Sequence, residues 1–337
     1  DYTIFYVSSQ SHISFVSTSK LHEWQSRLSD ITSISSMSIP GTHNSPTCHV
    51  ALPSVRCQAV GITAQLRNGV RYFDIRAQPD GKNMLLVHGV FPISLGGNKY
   101  LRDVLKEFYE FLDANPSEVL IVSLKREGPG KATDEQFSVL LRDEYVNKRA
   151  DRWWTGNRIP NLGETRGRCI LFRRFKLDRS IKDWGINAET WKYNTPDDLL
   201  KNDGGQSWVR VQDFCEVLDT VDSNIKTKQK YVREQLERSE KLQSCLDGRP
   251  LQKGSGDKVP ITLNFLSAAN FWNVNCWPDR IAAKLNPFTM EYLQVSHATK
   301  GNGDGSTGIV VCDFVGENGN WDLVDLVVAM NGRLELK

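Results

Sequence analysis

Two histidines and an arginine, each closing an apolar run, define the chemistry this sequence can do. Ser38-Ile-Pro-Gly-Thr-His-Asn-Ser45 carries His43 just after a Pro-Gly pair. Leu85-Leu-Val-His-Gly89 ends a second apolar run in His88. Between them, Val70-Arg-Tyr-Phe-Asp-Ile-Arg76 ends in Asp74-Ile-Arg76. Unperturbed imidazole titrates near pH ~6.5, so each His can accept or donate a proton at neutral pH. A guanidinium holds phosphate through two parallel hydrogen bonds. A base, an acid and a fixed cation are the parts that phosphoryl transfer needs. One His after Pro-Gly is more often a hydrogen-bonded turn residue. Three such ends within residues 38–88 point to a shared site.

The elements that must position these groups follow from periodicity. Residues 1–20 alternate around Tyr2-Thr-Ile-Phe-Tyr-Val7, which predicts a strand or hairpin, and 21–30 a short helix. Strands are expected over Ser35–Ile39, Val70–Arg76, Asn83–His88, Glu118–Leu124, Cys169–Phe172, Trp208–Asp213, Pro260–Phe265 and Gly308–Cys312. Helices are expected over Thr63–Asn68, Leu101–Ala114, Thr133–Tyr145 (with Thr133 as N-cap and Gln136 completing a capping box), 224–243 as a charged, solvated outer face, and Leu323–Asn331. Residues 176–207 lack clear periodicity and read as a long excursion. Strands alternating with helices predict a parallel α/β architecture. His43, Arg76, His88, Lys125, Arg174, Asp213, Ser267 and Asp313 all fall at expected strand C-terminal ends. A TIM-type β/α barrel would bring those ends to one face. A doubly wound sheet would bring fewer together, and no nucleotide-binding glycine motif is present. The expectation is a single, distorted TIM-type barrel over 31–337, with 1–30 as an N-terminal extension packed on it.

Composition narrows the function class. The chain has 337 residues, 39% hydrophobic and 24% charged, with a net charge of +2. That balance disfavours a nucleic-acid binder, which concentrates basic charge. No apolar run approaches the ~20 residues that span a bilayer, so membrane contact is expected to be peripheral. The seven cysteines form no CxxC pair, which argues against a structural zinc site. Cys48 and Cys57 flank a short loop and invite a disulfide, while Cys169, Cys215 and Cys312 read as small core residues. A chain starting at Asp1 fits a processed, secreted protein, which is the expected location.

Taken in order, these segments resemble phosphatidylinositol-specific phospholipase C, X region. The resemblance rests on Ser38-x-Pro-Gly-Thr-His-Asn-Ser45, Gly69-Val-Arg-Tyr-Phe-Asp-Ile-Arg76, Val87-His-Gly89 and Asn115-Pro-Ser-Glu-Val-Leu-Ile-Val-Ser-Leu-Lys125. It continues through Arg168-Cys-Ile-Leu-Phe-Arg-Arg174, Val211-Gln-Asp213, Leu263-Asn-Phe-Leu266 and Val310-Val-Cys-Asp-Phe314. The small bacterial-type enzymes are the nearest in pattern. The resemblance implies His43 as general base on the inositol 2-hydroxyl, His88 as general acid on the glycerol oxygen, and Asp313 as the carboxylate orienting His43. It implies Arg76 as the phosphate-neutralising cation, with Asp74 and Asn44 in the same catalytic cluster. Lys125, Arg174 and Asp213 match positions that hold inositol hydroxyls. Phe271 and Trp272 are expected to dock a bilayer, with Trp277 and Val50-Ala-Leu52 as further contacts. Arg76 stands where metal-dependent members have an acidic residue, so neither metal nor other cofactor is expected. The implied substrate is phosphatidylinositol or its glycosylated form in a bilayer, and the implied state is a monomer.

Two residues depart from the pattern. Asn44 stands where many metal-independent bacterial members have an Asp that partners the general acid, which leaves Asp74 as a possible substitute partner for His88. Cys215 stands where a tyrosine commonly stacks on the inositol ring. Two other readings stay open at this level. One is a glycerophosphodiesterase or sphingomyelinase D-like enzyme, which would need a metal and an acidic cluster after the first His. The other is an inositide-binding barrel with weakened catalysis.

Overall fold

The computed structural model describes residues 1–202, 207–241, 259–297 and 305–335. The chain opens with an antiparallel hairpin, β1 (Tyr2–Val7) and β2 (His12–Ser17). Then follow β3 (Ile39–Thr42), α1 (Ile62–Arg67), β4 (Tyr72–Asp80), β5 (Asn83–His88), β6 (Phe91–Pro92), α2 (Leu101–Ala114), β7 (Leu120–Arg126), α3 (Asp134–Leu141), β8 (Trp153–Trp154), α4 (Leu162–Thr165), β9 (Cys169–Arg174), β10 (Ile186–Asn187) and β11 (Asp198–Asn202). The remainder is β12 (Ser207–Gln212), α5 (Val221–Glu240), β13 (Ile261–Phe265), α6 (Pro278–Val295), β14 (Ile309–Cys312), α7 (Asp322–Ala329) and α8 (Gly332–Glu335).

Eight parallel strands run in the order β10-β9-β7-β4-β3-β14-β13-β12, and β11 adds antiparallel to β12. The fold is a distorted TIM-type α/β barrel. Among the described residues no ladder joins β10 to β11 or β12, so the barrel stands open at that seam. Strand alternation builds two apolar layers. Ile39, Tyr72, Ile121, Ile170, Val211, Leu263 and Val311 fill the interior. Phe73, Val122, Leu171 and Val310 face the helices. Both faces are buried, which is why these strands read as near-continuous apolar runs. Helix α2 buries Leu101, Val104, Leu105, Phe108, Phe111 and Leu112, the stripe its three- and four-residue spacing predicts. The Thr133–Gln136 capping box opens α3 as expected. The N-terminal hairpin buries Phe5 and Val16, and Thr3, Ser9 and Ser14 donate to Asp325, Glu291 and Gln294 of α7 and α6.

Several expectations shift. The first barrel strand is Ile39–Thr42, so Pro40-Gly41 lies inside the strand and the turn starts at His43. Gly41 is there for space: a Cβ would come within 2.8 Å of the Tyr72 ring. Strand β5 is the return arm of a hairpin with β4, not a barrel strand; the eighth parallel strand is β10, from the excursion after β9. Helix α5 is not merely a solvated face, for Asn224, Lys228, Val232, Gln235, Leu236, Ser239 and Glu240 are buried on it. The 241 to 243 end expected for it is not helical at Lys241, and 242–243, like Cys245, lie outside the described residues. Cys48 and Cys57 are both free thiols. The Cys57 sulphur is directed at Val55 O and His88 instead. Cys215 is half-buried beside the site cavity rather than in the core.

Candidate active site

Side-chain parity explains why so many polar groups meet. Residues two apart on a strand share a face. Tyr72 points into the barrel, so Asp74 and Arg76 follow it; Ile121 carries Ser123 and Lys125, and Ile170 carries Phe172 and Arg174. Strand register then sets Arg76 opposite Lys125, and Lys125 opposite Arg174. Three cations therefore form one row across β4, β7 and β9. Thr42 pairs with Phe73 on one side and Cys312 on the other, so the next residues, Asp74, His43 and Asp313, sit at one level.

His43 is 9% exposed, and its Nδ1 lies 2.9 Å from Asp313 Oδ1. Asp313 is itself 2% exposed, and burial raises its pKa against the pull of His43. Gln58 Nε2 donates to the carbonyls of His43 and Cys312, which fastens the turn. The next residue, Asn44, has φ +39°, in the left-handed region that Asn tolerates better than most residues. Its side chain is fully buried, and neither its oxygen nor its nitrogen has a protein partner. Its backbone N–H donates to Asp74 Oδ2 at 3.1 Å.

His88 faces His43 edge-on, with ring centroids 5.7 Å apart. Its Nδ1 donates to Val55 O at 2.7 Å and lies 3.6 Å from the Cys57 sulphur. Asp74 therefore does not replace the carboxylate partner expected for His88; a backbone carbonyl orients the ring. Burial, the Arg76 guanidinium and His43 push His88 down to about 4. Each of these penalises imidazolium.

Asp74 is instead the counter-ion of the cation row. It is fully buried and pairs with Arg76 at 3.1 Å and with Arg174 at 3.0 Å. Burial alone would raise its pKa, but Arg76 and Arg174 outweigh it and hold the carboxyl well below its ordinary range. The Arg174 guanidinium lies 3.5 Å over the Trp191 ring. Lys125 bonds Glu127 at 2.7 Å, and burial with Arg76 and Arg174 lowers its pKa. Asp213 lines the cavity opposite and is 8% exposed.

Several residues of the site escaped sequence reading. Glu127 bridges Arg76, Lys125 and the N–H of Gly89, tying the cation row to the turn after His88. Its two-residue spacing from Lys125, one position past the end of β7, was the available signal. Lys228 of α5 is fully buried and donates to Gln212 Oε1 and Phe214 O, the neighbours of Asp213 on both sides. Burial pushes it down to about 8. Trp191 and Tyr193 enter the cavity from the excursion, and Tyr193 donates to Glu216 at 2.8 Å. Nothing in periodicity places that excursion.

His43, Arg76, His88, Lys125, Arg174, Asp213 and Asp313 line one cavity of about 510 Å³. That volume suits a small polar headgroup. Phe271 and Trp272 lie on its rim, with Trp272 89% exposed and Phe271 stacked on Phe91 at 5.8 Å. Leu218, Val274 and Val50 are exposed as well, while Trp277 donates to Phe271 O and braces that loop. A calcium ion would need six to eight oxygens. Here the Asp74 oxygens are held by Arg76 and Arg174, and three cations crowd the same space. Softer chemistry is better served, since His43, Cys57 and His88 cluster as metal-capable donors among the described residues. Along the α/β chain no described helix is long and apolar enough to cross a membrane.

Residues 32–175 match the family described as phosphatidylinositol-specific phospholipase C, X domain. The 1-phosphatidylinositol phosphodiesterase of Staphylococcus aureus strain Newman is 26% identical over 323 residues, covering 91% of this chain and 93% of that protein. The protein of the same name from Listeria monocytogenes is 31% identical over 211 residues, covering 59% of this chain and 62% of its own length. In fold, the chain resembles the F249X mutant of the S. aureus phosphatidylinositol-specific phospholipase C, with a TM-score of 0.73 at 24% identity, covering 93% of this chain and 98% of that one.

Proposed function

We propose that this chain, which belongs to the phosphatidylinositol-specific phospholipase C family, cleaves phosphatidylinositol in bilayers to diacylglycerol and inositol 1,2-cyclic phosphate. The observation that carries the reading is the pair of imidazoles 5.7 Å apart, beside a row of three cations in one headgroup-sized cavity. His43 Nε2 takes the proton of the inositol 2-hydroxyl, while Asp313 holds Nδ1–H and stabilises the imidazolium that forms. The 2-oxygen attacks phosphorus in line, the bond to the glycerol oxygen breaks, and His88 gives that oxygen its proton. Arg76 neutralises the phosphate oxygens, where charge builds in the transition state.

The low pKa of His88 fits this sequence of events. A phosphodiester anion seated between Arg76 and His88 offsets the guanidinium that disfavours imidazolium. Substrate binding thereby charges the acid that the next step needs. Lys125, Arg174 and Asp213 supply two donors and an acceptor to inositol hydroxyls. Asn44, next to His43, offers a buried amide that has no protein partner. Phe271 and Trp272 enter the lipid interface at the cavity rim, where aromatic side chains are favoured, and no metal takes part. Action at the outer face of membranes after secretion, as a monomer, completes the reading; another solved form of the staphylococcal protein concerns modulation of its membrane binding.

The test is release of inositol 1,2-cyclic phosphate from phosphatidylinositol vesicles in excess chelator. Wild type should turn over and His43→Ala should fall to background. Inactivity of the wild type, or activity that collapses in chelator and returns with Ca²⁺, overturns the proposal. Running a glycosyl-anchored protein and phosphorylated inositides in parallel assigns the preferred headgroup.

A further inference from the structure

We propose that His43, Cys57 and His88 form a chelating site for a soft divalent cation of the zinc class, and that its occupancy shuts the active site. One ring nitrogen of each His and the Cys57 sulphur lie within 4.8 Å of one another. The sulphur is 3.6 Å from His88 Nδ1. Tetrahedral zinc holds thiolate at about 2.3 Å and imidazole at about 2.0 Å, which puts its ligand atoms roughly 3.5 Å apart. Closing the remaining gap takes a Cys57 side-chain rotation and a turn of the His88 ring.

The outer contacts are already those of a metal centre. A metal-bound His commonly fixes its other nitrogen on a carboxylate or a backbone carbonyl. Here His43 Nδ1 is held by Asp313 at 2.9 Å, and His88 Nδ1 by Val55 O at 2.7 Å. His43 then keeps its Nε2 lone pair for an ion, whereas the His88 nitrogen nearest the sulphur is the one Val55 O holds, so the His88 ring has to turn to present a free nitrogen. Cys57 is fully buried beside this pair, and phosphodiester transfer gives its sulphur no part. The donor set selects the ion, because thiolate and imidazole favour zinc-like cations whereas calcium and magnesium need oxygens.

Binding forms one metal–sulphur and two metal–nitrogen bonds. The thiol proton leaves to solvent and no electron is transferred. The lone pair that His43 uses as a base and the ring that His88 uses as an acid are then both committed to the ion. Inhibition in this scheme rests on the proposed phosphodiesterase activity; binding does not.

Cobalt(II) separates the two, because a cobalt–thiolate bond absorbs in the near ultraviolet whether or not the protein turns over lipid. Titration of the purified full chain with Co²⁺ should produce that band, and Zn²⁺ should displace it. The band should vanish in Cys57→Ser and weaken in His43→Gln and His88→Gln. In the phosphatidylinositol assay, Zn²⁺ should inhibit and chelator should restore activity. Cys57→Ser should raise the half-inhibiting Zn²⁺ concentration at least about tenfold. Cys57→Ala serves if the Ser variant fails to fold, and the two His variants read the site independently of either. No band in the wild type, a band that persists in both Cys57 variants, or equal Zn²⁺ sensitivity of wild type and Cys57 variants overturns the site. A band with no lipid turnover would sink the enzyme reading and leave the metal site standing.

Discussion

Asp313→Asn is the substitution whose outcome depends most directly on the geometry of the site. The carboxylate lies 2.9 Å from His43 Nδ1 and both groups are almost fully buried. It holds Nδ1–H and so leaves the Nε2 lone pair facing the cavity. An amide at the same place can donate to Nδ1, which moves the ring proton to Nε2 and removes the base. It also deletes the charge that stabilises the transition-state imidazolium. Full charges at that separation, with an effective dielectric of about 20, attract by roughly 5–6 kcal/mol. The same swap in a serine-protease triad costs about 10⁴ in kcat. Asp74 also attracts His43 and remains in the variant, so part of the field survives. The expected loss is about 10²–10⁴ in kcat, since each factor of ten is about 1.36 kcal/mol. KM should change little, because Asp313 acts through His43. The assay is initial-rate release of inositol cyclic phosphate from a water-soluble inositol phosphodiester, which removes interfacial binding from the reading. A variant that melts with the wild type and keeps kcat within fivefold would refute the base–orienter assignment.

Other outcomes follow from the same structure. Arg76→Lys replaces a planar fork held by Asp74 and Glu127 with a point charge, and kcat on the soluble substrate should drop about a hundredfold even though charge is conserved. Trp272→Ala should weaken sedimentation with phosphatidylinositol vesicles several-fold and leave soluble-substrate turnover within about twofold; equal losses in both assays would place Trp272 in catalysis rather than docking. His88 has a folded pKa of about 4 against an unfolded value near 6.5, so the unfolded state binds more protons in that window. Its contribution is present above about 6.5 and lost as pH falls through about 4, on the order of 3 kcal/mol; urea midpoints of His88→Gln should therefore decline less with acid than those of the wild type. Glu118→Ala strands the fully buried Arg71 guanidinium, now 2.8 Å from the Glu118 carboxylate, and should destabilise by about 3–5 kcal/mol in urea unfolding.

The sequence by itself determined most of the strands and helices, the apolar layers and most of the polar residues that line the cavity. His43, Arg76, His88 and Asp313 stand out because each closes an apolar run, and the parity of a strand is legible as soon as its apolar residues are known. Lys125 and Arg174 inherit their direction from Ile121 and Ile170, each four residues before its partner. Tertiary structure alone decided who partners whom. Register between strands, which no local pattern specifies, turned Arg76, Lys125 and Arg174 into one row and gave Asp74 to two arginines instead of to His88. The β4–β5 hairpin delivered His88 from outside the barrel staves, and its ring met Val55 O and Cys57. Lys228 and Trp191 are legible only in three dimensions, because one comes from a helix rich in charge and the other from a segment without periodicity. Side-chain direction is a local property of the backbone and can be read along the chain. The distance between groups far apart in sequence is set by the packing of the whole barrel, and it is that distance which makes two imidazoles and a thiol a site.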